Sequence, residues 1–388
     1  MTDSSTTPPV SRRAIIRGGA LGAAGIAALA SSAALPSSNV LATTGTPPAW
    51  TDVLDLGADR TGAADSTAAF QAAINSGLPI YVPPGTYACN RGPLVAASWM
   101  RIFGNSYGTT TIASSGCHLF DLDNSNGLLE GIEIDHVALS ATGGDIFHGA
   151  NVIHSTVHHC WLIQNSPAHA IWNSSASTGL GSAFVRECCF YYNKECQYGS
   201  PRAISAWFLR ANGRPGGCGD IWWYGGNCHN EDNDTTRWWY HIIGPDSGQG
   251  GRNNRFEKMT FDCPQGGMIR LESSTGDVID DVVAANLASL PVGNPLISIA
   301  TTAGNSSGSG AIAIRNYSRR GGNNNGSGIT DIHLDANATQ LMIDTPNVSA
   351  GGTMLTIDCG GAQNVTLIGS PGTGRYTLLN AGGIVLVS

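Results

Sequence analysis

Charge is scarce in this sequence. Of 388 residues only 12% are Asp, Glu, Lys or Arg, about half of what an average globular domain carries. The deficit is larger for cations, with 20 Lys and Arg against 28 Asp and Glu and a formal net charge of -8. With no basic run beyond the N-terminus, there is no surface for a phosphate backbone, which argues against a nucleic-acid partner. No Cys-x-x-Cys pair occurs among the 10 cysteines, so no cysteine zinc site is expected. After residue 42 no run of about 20 apolar residues follows, so no membrane span is expected in the mature chain. Glycine is abundant instead, at 51 residues, which suits short strands joined by tight turns.

The N-terminus reads as an address. "SRRAIIRGG" (11 to 19) sets Arg12-Arg13 before an apolar, alanine-rich stretch, and Val40-Leu41-Ala42 offers small residues for cleavage. This pattern resembles a twin-arginine signal peptide, so residues 1–42 are expected to direct export and the secreted chain to begin near Thr43. Residues 43–50 then form a linker and 51–388 one domain. Export would let cysteines pair; Cys218 with Cys228 and Cys189 with Cys196 are placed to close loops, while Cys160 and Cys188 read as buried apolar residues.

Periodicity points to the fold. "STVHHCWLIQNS" (155 to 166), "SAFVRECCFYYN" (182 to 193), "NRFEKMTFDCP" (254 to 264) and "GDVIDDVVAANL" (276 to 287) each alternate apolar residues around a polar pair. Between them lies a second series, including "DIFHG" (145 to 149), "HAIWN" (169 to 173) and "GMIRLES" (267 to 273). Short strands recurring at one coil length, without helical periodicity between them, predict an all-β parallel solenoid. Its open end needs a cap. "DSTAAFQAAINSG" (65 to 77) supplies a helix, with Asp65 or Ser66 at its start, Ala69, Phe70, Ala73 and Ile74 on one face, and Gly77 as terminator. The segment "DLGADRTGAADSTAAFQAAINSGLPIYVPPGTY" (55 to 87) resembles the entry of the pectate-lyase-like superfamily. That resemblance implies a right-handed parallel β-helix with an N-terminal capping helix, in a group that includes carbohydrate-cleaving enzymes and phage tailspikes. It implies no particular catalytic residues, because the group uses several unrelated sites.

A solenoid offers outward columns of side chains along one flank, suited to an extended polymer. Alignment of the first series puts Val157, Val185, Phe256 and Ile279 inward and His158, Arg186, Glu257 and Asp280 outward. The second gives an outward column of Phe147, Trp172 and Arg270. A slip of one residue would exchange the faces. The Trp-rich region 203–254, read as an extended loop, carries Trp207, Trp222, Trp223, Trp238 and Trp239 together with Arg237; with Trp172 and Arg270 these are the candidate sugar contacts. Burial of alternate rings is the competing reading. Candidate catalytic carboxylates are Asp220, Glu231 and Asp232, then Glu257 and Asp262, since glycosidic hydrolysis needs an acid and a second carboxylate.

These features predict a secreted enzyme that cleaves an extracellular polysaccharide, with hydrolysis favoured. A lyase acting on a uronate polymer is the alternative, with Lys194, Arg186, Lys258, Arg237 or Arg255 available and Ca²⁺ as its supporting ion. A non-catalytic tailspike-like binder, trimeric as some relatives are, is the third reading. No cofactor is otherwise expected. Six histidines, His136, His148, His154, His158, His159 and His169, lack helical i, i+4 spacing, so no metal site is expected. His148 is read as inward, and His158 or His169, taken to lie near Arg186, as a candidate base.

Overall fold

The computed structural model describes residues 49–123, 127–174, 185–198, 202–210, 218–230, 237–244, 251–262, 266–285, 295–301, 309–320, 329–344, 355–368, 376–380 and 382–387. The export segment 1–42 and most of the linker lie outside the described residues.

The chain is a right-handed parallel β-helix. Its described strands form three long sheets of 13, 9 and 11 strands, and the first two run in sequence order. Each turn of the chain gives one strand to each. Thr156–His158, Trp161–Gln164 and Trp172–Asn173 are followed, in parallel register, by Cys189–Tyr191, Lys194–Gln197 and Trp207–Arg210. The helix Thr67–Asn75 buries Ala69, Phe70, Ala73 and Ile74, and the Phe70 ring meets Tyr87 edge-on at 5.5 Å. Ser66 is its N-cap residue without a side-chain cap bond, while the Asp65 carboxylate accepts the Thr67 and Asn90 N–H groups and so ties helix to coil.

Left-handed corners bend the chain between sheets. His136, His159, Tyr192, Gly225, Lys258, Asp281 and Asn316 each follow a strand of the first sheet and have φ between 49° and 66°. A Cβ costs energy in this region except where a short polar side chain or glycine relieves it. At Gly225 a Cβ would also come within 2.7 Å of the Tyr192 ring, so a side chain there would have to displace that ring.

Inside the coil, the pleat sets aromatic rings one above another. Phe120, Phe147, Trp172, Trp207 and Tyr240 form one inward column, and Phe190, Trp223 and Phe256 face it from the first sheet. Trp223 and Phe256 stack at 4.6 Å, and Trp207 and Tyr240 at 5.7 Å. One acid enters this core. Glu195 is 1% exposed and takes hydrogen bonds from Trp207 Nε1 at 2.8 Å, Tyr240 Oη at 2.9 Å and Cys228 Sγ at 3.5 Å. Burial raises its carboxyl to about 7 despite these bonds.

Several sequence expectations change. Val185 and Arg186 belong to a small three-stranded sheet and pair with Val152 and Ile153; the residue opposite Val157 is Phe190. Phe147 and Trp172 point inward and His148 outward, a slip of one residue in the second series. In the Trp-rich region the described residues continue the stack through the strands Trp207–Arg210, Trp222–Tyr224, Asn227–Asn230 and Tyr240–Ile243 rather than standing off it as a loop. Cys218 and Cys228 are separate buried thiols, and Cys189 and Cys196 lie on two different sheets. No described helix is long and apolar enough to cross a membrane.

Candidate functional site

The slip that buries Trp172 brings its neighbours to the surface. On the third sheet the outward column runs Asp121, His148, Asn173, Phe208, His241, Arg270, Ser298, His333 and Asp358. Its C-terminal half lines a groove of about 630 Å³, with Ser205, Arg237, Trp238, Glu272 and Thr330 along the sides. Successive strands stand about 4.8 Å apart, so the groove runs along the helix axis with one outward residue per coil.

Glu272 lies two residues past Arg270 on the same face. It accepts a hydrogen bond from His241 Nε2 at 2.8 Å and another from Arg270 Nε. Burial pushes the Glu272 carboxyl upward, but His241 and Arg270 together outweigh it and hold the group at about 2. The Arg270 guanidinium also lies 5.7 Å from the Trp238 ring centre, a cation–π contact. Asp358 is the second anion. Burial opposes ionisation there too, but bonds from Asn380, Gly360 and His333 lower its pKa.

His333 Nδ1 lies 3.1 Å from Asp358 Oδ2. An ionised carboxylate can only accept, so Nδ1 carries a proton, and in the neutral ring Nε2 keeps its lone pair. This is the arrangement by which a carboxylate fixes the tautomer of a histidine base. Arg237 is exposed at the groove's edge, donates Nε–H to the Arg202 carbonyl at 3.3 Å, and has no carboxylate partner among the described residues.

Of the candidate sugar contacts, Arg237, Trp238 and Arg270 meet in this groove. Trp172, Trp207, Trp223 and Trp239 are at most 3% exposed and cannot touch a polymer. These four assignments are corrected: inward pleat positions of large rings build the core. Trp222 is exposed, but on another face, where it lines a second depression with Glu187, Asp220, Asn253 and Arg255.

The candidate carboxylates do not converge. Asp220 occupies a left-handed corner, bonded to Arg186 and Asn253, both at 3.0 Å. Burial raises its pKa, but the bonds from Asn253 and Arg186 lower it overall. Glu257 lies on the first sheet and pairs with Arg255 at 3.4 Å, and Asp262 lies on the second, 3.0 Å from His229. Asp220 and Glu257 are held by different partners, Arg186 with Asn253 for the first and Arg255 for the second, and no contact joins the two carboxylates among the described residues. Glu231 and Asp232 lie outside the described residues.

Arg186 is bound to Asp220 rather than placed beside His158. Lys194 sits over the Trp161 ring, and Lys258 bonds Tyr224 Oη. At the N-terminal end of the third-sheet face, His148 and His169 gather with His118 around the buried Asp145. Sequence reasoning missed His241, His333 and Asp358, and it counted Glu272 among the available carboxylates without ranking it. Their signal was the polar residue after each inward apolar one in "YHII", "IRLE", "IHL" and "TID".

Residues 50–180 match the family model described as rhamnogalacturonase A/epimerase, pectate lyase-like. Over those residues the sequence is similar to that family. No curated protein matches the sequence. Among solved structures, the chain is similar to PfbA, a surface adhesin of Streptococcus pneumoniae, at 13% identity and a TM-score of 0.56, covering 87% of this chain and 86% of that one. The catalytic unit of a GH87 alpha-1,3-glucanase from Streptomyces thermodiastaticus aligns at 17% identity and a TM-score of 0.42, covering 88% and 69%. The A-module of an Azotobacter vinelandii mannuronan C-5 epimerase aligns at 12% identity and 0.39, covering 86% of each chain. At these identities the pectate-lyase-like likeness is one of fold.

Proposed function

We propose that this pectate-lyase-like protein acts outside the cytoplasm on an acidic polysaccharide laid along the third-sheet groove, and cleaves it by β-elimination. The observation that carries the reading is the His333–Asp358 pair in one groove with Arg270 and Arg237. In such a step a cation neutralises the uronate carboxylate, a base removes the proton beside it, and the glycosidic oxygen leaves as the double bond forms. Arg270 and Arg237 would bind the carboxylate, and His333 Nε2 would take the proton. Arg270 and His333 are two coils apart, roughly 10 Å at the backbone, a span that two long side chains and one sugar unit close. Calcium does not fit this groove: Glu272 and Asp358 are each engaged by histidine, arginine or amide donors, whereas Ca²⁺ needs six to eight oxygens.

Hydrolysis is the second reading. Glu231 and Asp232 stand in the chain a few residues before the groove residues Arg237 and Trp238, and an acid from that segment would supply the proton that Glu272 and Asp358 lack. Product analysis on a panel of uronate and neutral polysaccharides separates the two. Unsaturated products absorbing in the ultraviolet support elimination, reducing ends without that absorbance support hydrolysis, and retention on a polymer without turnover reduces the site to binding.

A further inference from the structure

A second constellation lies on the outer face of the first sheet, away from the groove. Asp135 is directly opposite His158 in the parallel register, so the following residues, His136 and His159, also stand one above the other. Two dipeptides one coil apart thus make a two-by-two array of Asp, His, His and His. The corner fixes it: His136 has φ 56° and His159 φ 50°, and their rings stack at 4.8 Å.

The donor atoms converge. Asp135 Oδ1 lies 3.1 Å from His158 Nδ1 and 3.5 Å from His159 Nδ1, and it also contacts His136 Nδ1. His158 Nδ1 and His159 Nδ1 are 3.0 Å apart. Yet Asp135 Oδ1 is a buried atom that accepts no hydrogen bond among the described residues. An unsatisfied buried oxygen calls for an explanation, and an ion is one of the few available. Donors about 2.0–2.2 Å from a tetrahedral metal stand roughly 3.3 Å from one another, close to the separations here.

The outer contacts agree. His158 Nε2 is 3.6 Å from Glu133 Oε1, which holds this ring at the edge of the array. Tyr191 stacks on His158 at 4.7 Å and Tyr192 on His159 at 5.5 Å, which steadies both rings. The cluster around Asp145 differs in this respect. There Oδ1 accepts the Ala170 N–H at 2.7 Å, Oδ2 bonds His148 at 2.8 Å, and the Asp145 N–H is already spent on His118 Nδ1. Hydrogen bonds complete that cluster and leave the Asp135 array incomplete.

The geometry points to a site for one divalent transition-metal ion, of the zinc class, held by Asp135, His136 and His159, whose donor atoms all lie within 4.8 Å of one another. Two imidazoles and a carboxylate, with a water completing the tetrahedron, suit Zn²⁺ or Co²⁺ and not Ca²⁺ or Mg²⁺. The test uses the full chain stripped with chelator and titrated with Zn²⁺ against a chromophoric indicator, and separately with Co²⁺ followed by visible absorption. One equivalent of tight binding is expected, with the intense bands of tetrahedral cobalt. His136→Asn and His159→Asn keep a residue that tolerates the left-handed corner, so both should fold; each is expected to weaken Zn²⁺ binding at least 100-fold. His118→Ala, in the other cluster, should leave affinity unchanged. Absence of saturable Zn²⁺ binding, wild-type affinity in both asparagine variants, or loss of binding in His118→Ala would each overturn the site.

Discussion

The two faces of the third sheet are made by adjacent residues of the same strands and have opposite chemistry. Trp207, Tyr240 and Ile269 point inward and are fully buried, while Phe208, His241 and Arg270, each one position later, point outward. On the inside, rings stack and exclude water. On the outside, the same register lines up ionisable groups with one coil between them. The Trp-rich stretch therefore attracts attention for the wrong face: its density reports a crowded core, and the polar residues beside it build the groove.

The contrast is broken most severely from the inside. Trp207→Ala removes a ring that packs against Trp172, Phe190, Trp223 and Tyr240 and donates to Glu195. It should cost about 3–5 kcal/mol, read as a lowered midpoint in denaturant unfolding, and an unchanged midpoint would show that the column is not the core. From the outside, His333→Ala should leave the unfolding free energy within about 0.5 kcal/mol of wild type but cut turnover by about 10²–10⁴ on whichever uronate polymer the wild type cleaves. Retained turnover would remove His333 from the chemistry.

Acidity sharpens the comparison, because the inner and outer carboxyls shift in opposite directions. Burial lifts Glu195 from 4.5 to about 7, so the folded chain keeps a proton that the unfolded chain releases. Its contribution is complete below about 4.5 and is lost as pH climbs through 7. A tenfold change in proton affinity is worth about 1.4 kcal/mol, so between roughly pH 5 and pH 8 the loss is on the order of 2–3 kcal/mol. Glu195→Gln should reduce the fall in unfolding free energy over that interval, leaving the part due to Asp277, which burial also raises to about 7. Glu272, held at about 2, has the reverse sign: its stabilisation is present above 4.5 and disappears only as pH drops toward 2. The smallest effect belongs to Trp222→Ala on the first sheet, expected to change stability by no more than about 0.5 kcal/mol and polymer retention not at all.

The architecture was legible because it depends on spacing. The step from Phe256 to Ile279, the helix face from Ala69 to Ile74 and the entry segment 55 to 87 survive an error of one residue. The site was less legible because it does not. A strand of two to four residues contains too few alternations to tell inside from outside, so Phe147 and His148 exchanged places, and Trp172 was read as a sugar contact. Nor does sequence order reveal groups brought together across coils: His333 meets Asp358, and Asp135 meets His158, only through the register. Arg270 and Trp238 were found because a cation and a ring marked them; His241 and Glu272 looked like ordinary strand polars.

The left-handed corners have a mechanical consequence. Each coil bonds only to the one above and the one below, and each corner residue absorbs its bend locally, so the bodies of the coils are held as independent layers. Pulled from its last strand, Ile384–Val387, the chain should peel away in discrete steps, each releasing the length of one layer, such as the span from Phe256 to its partner Ile279, until the helix at the far end gives way last.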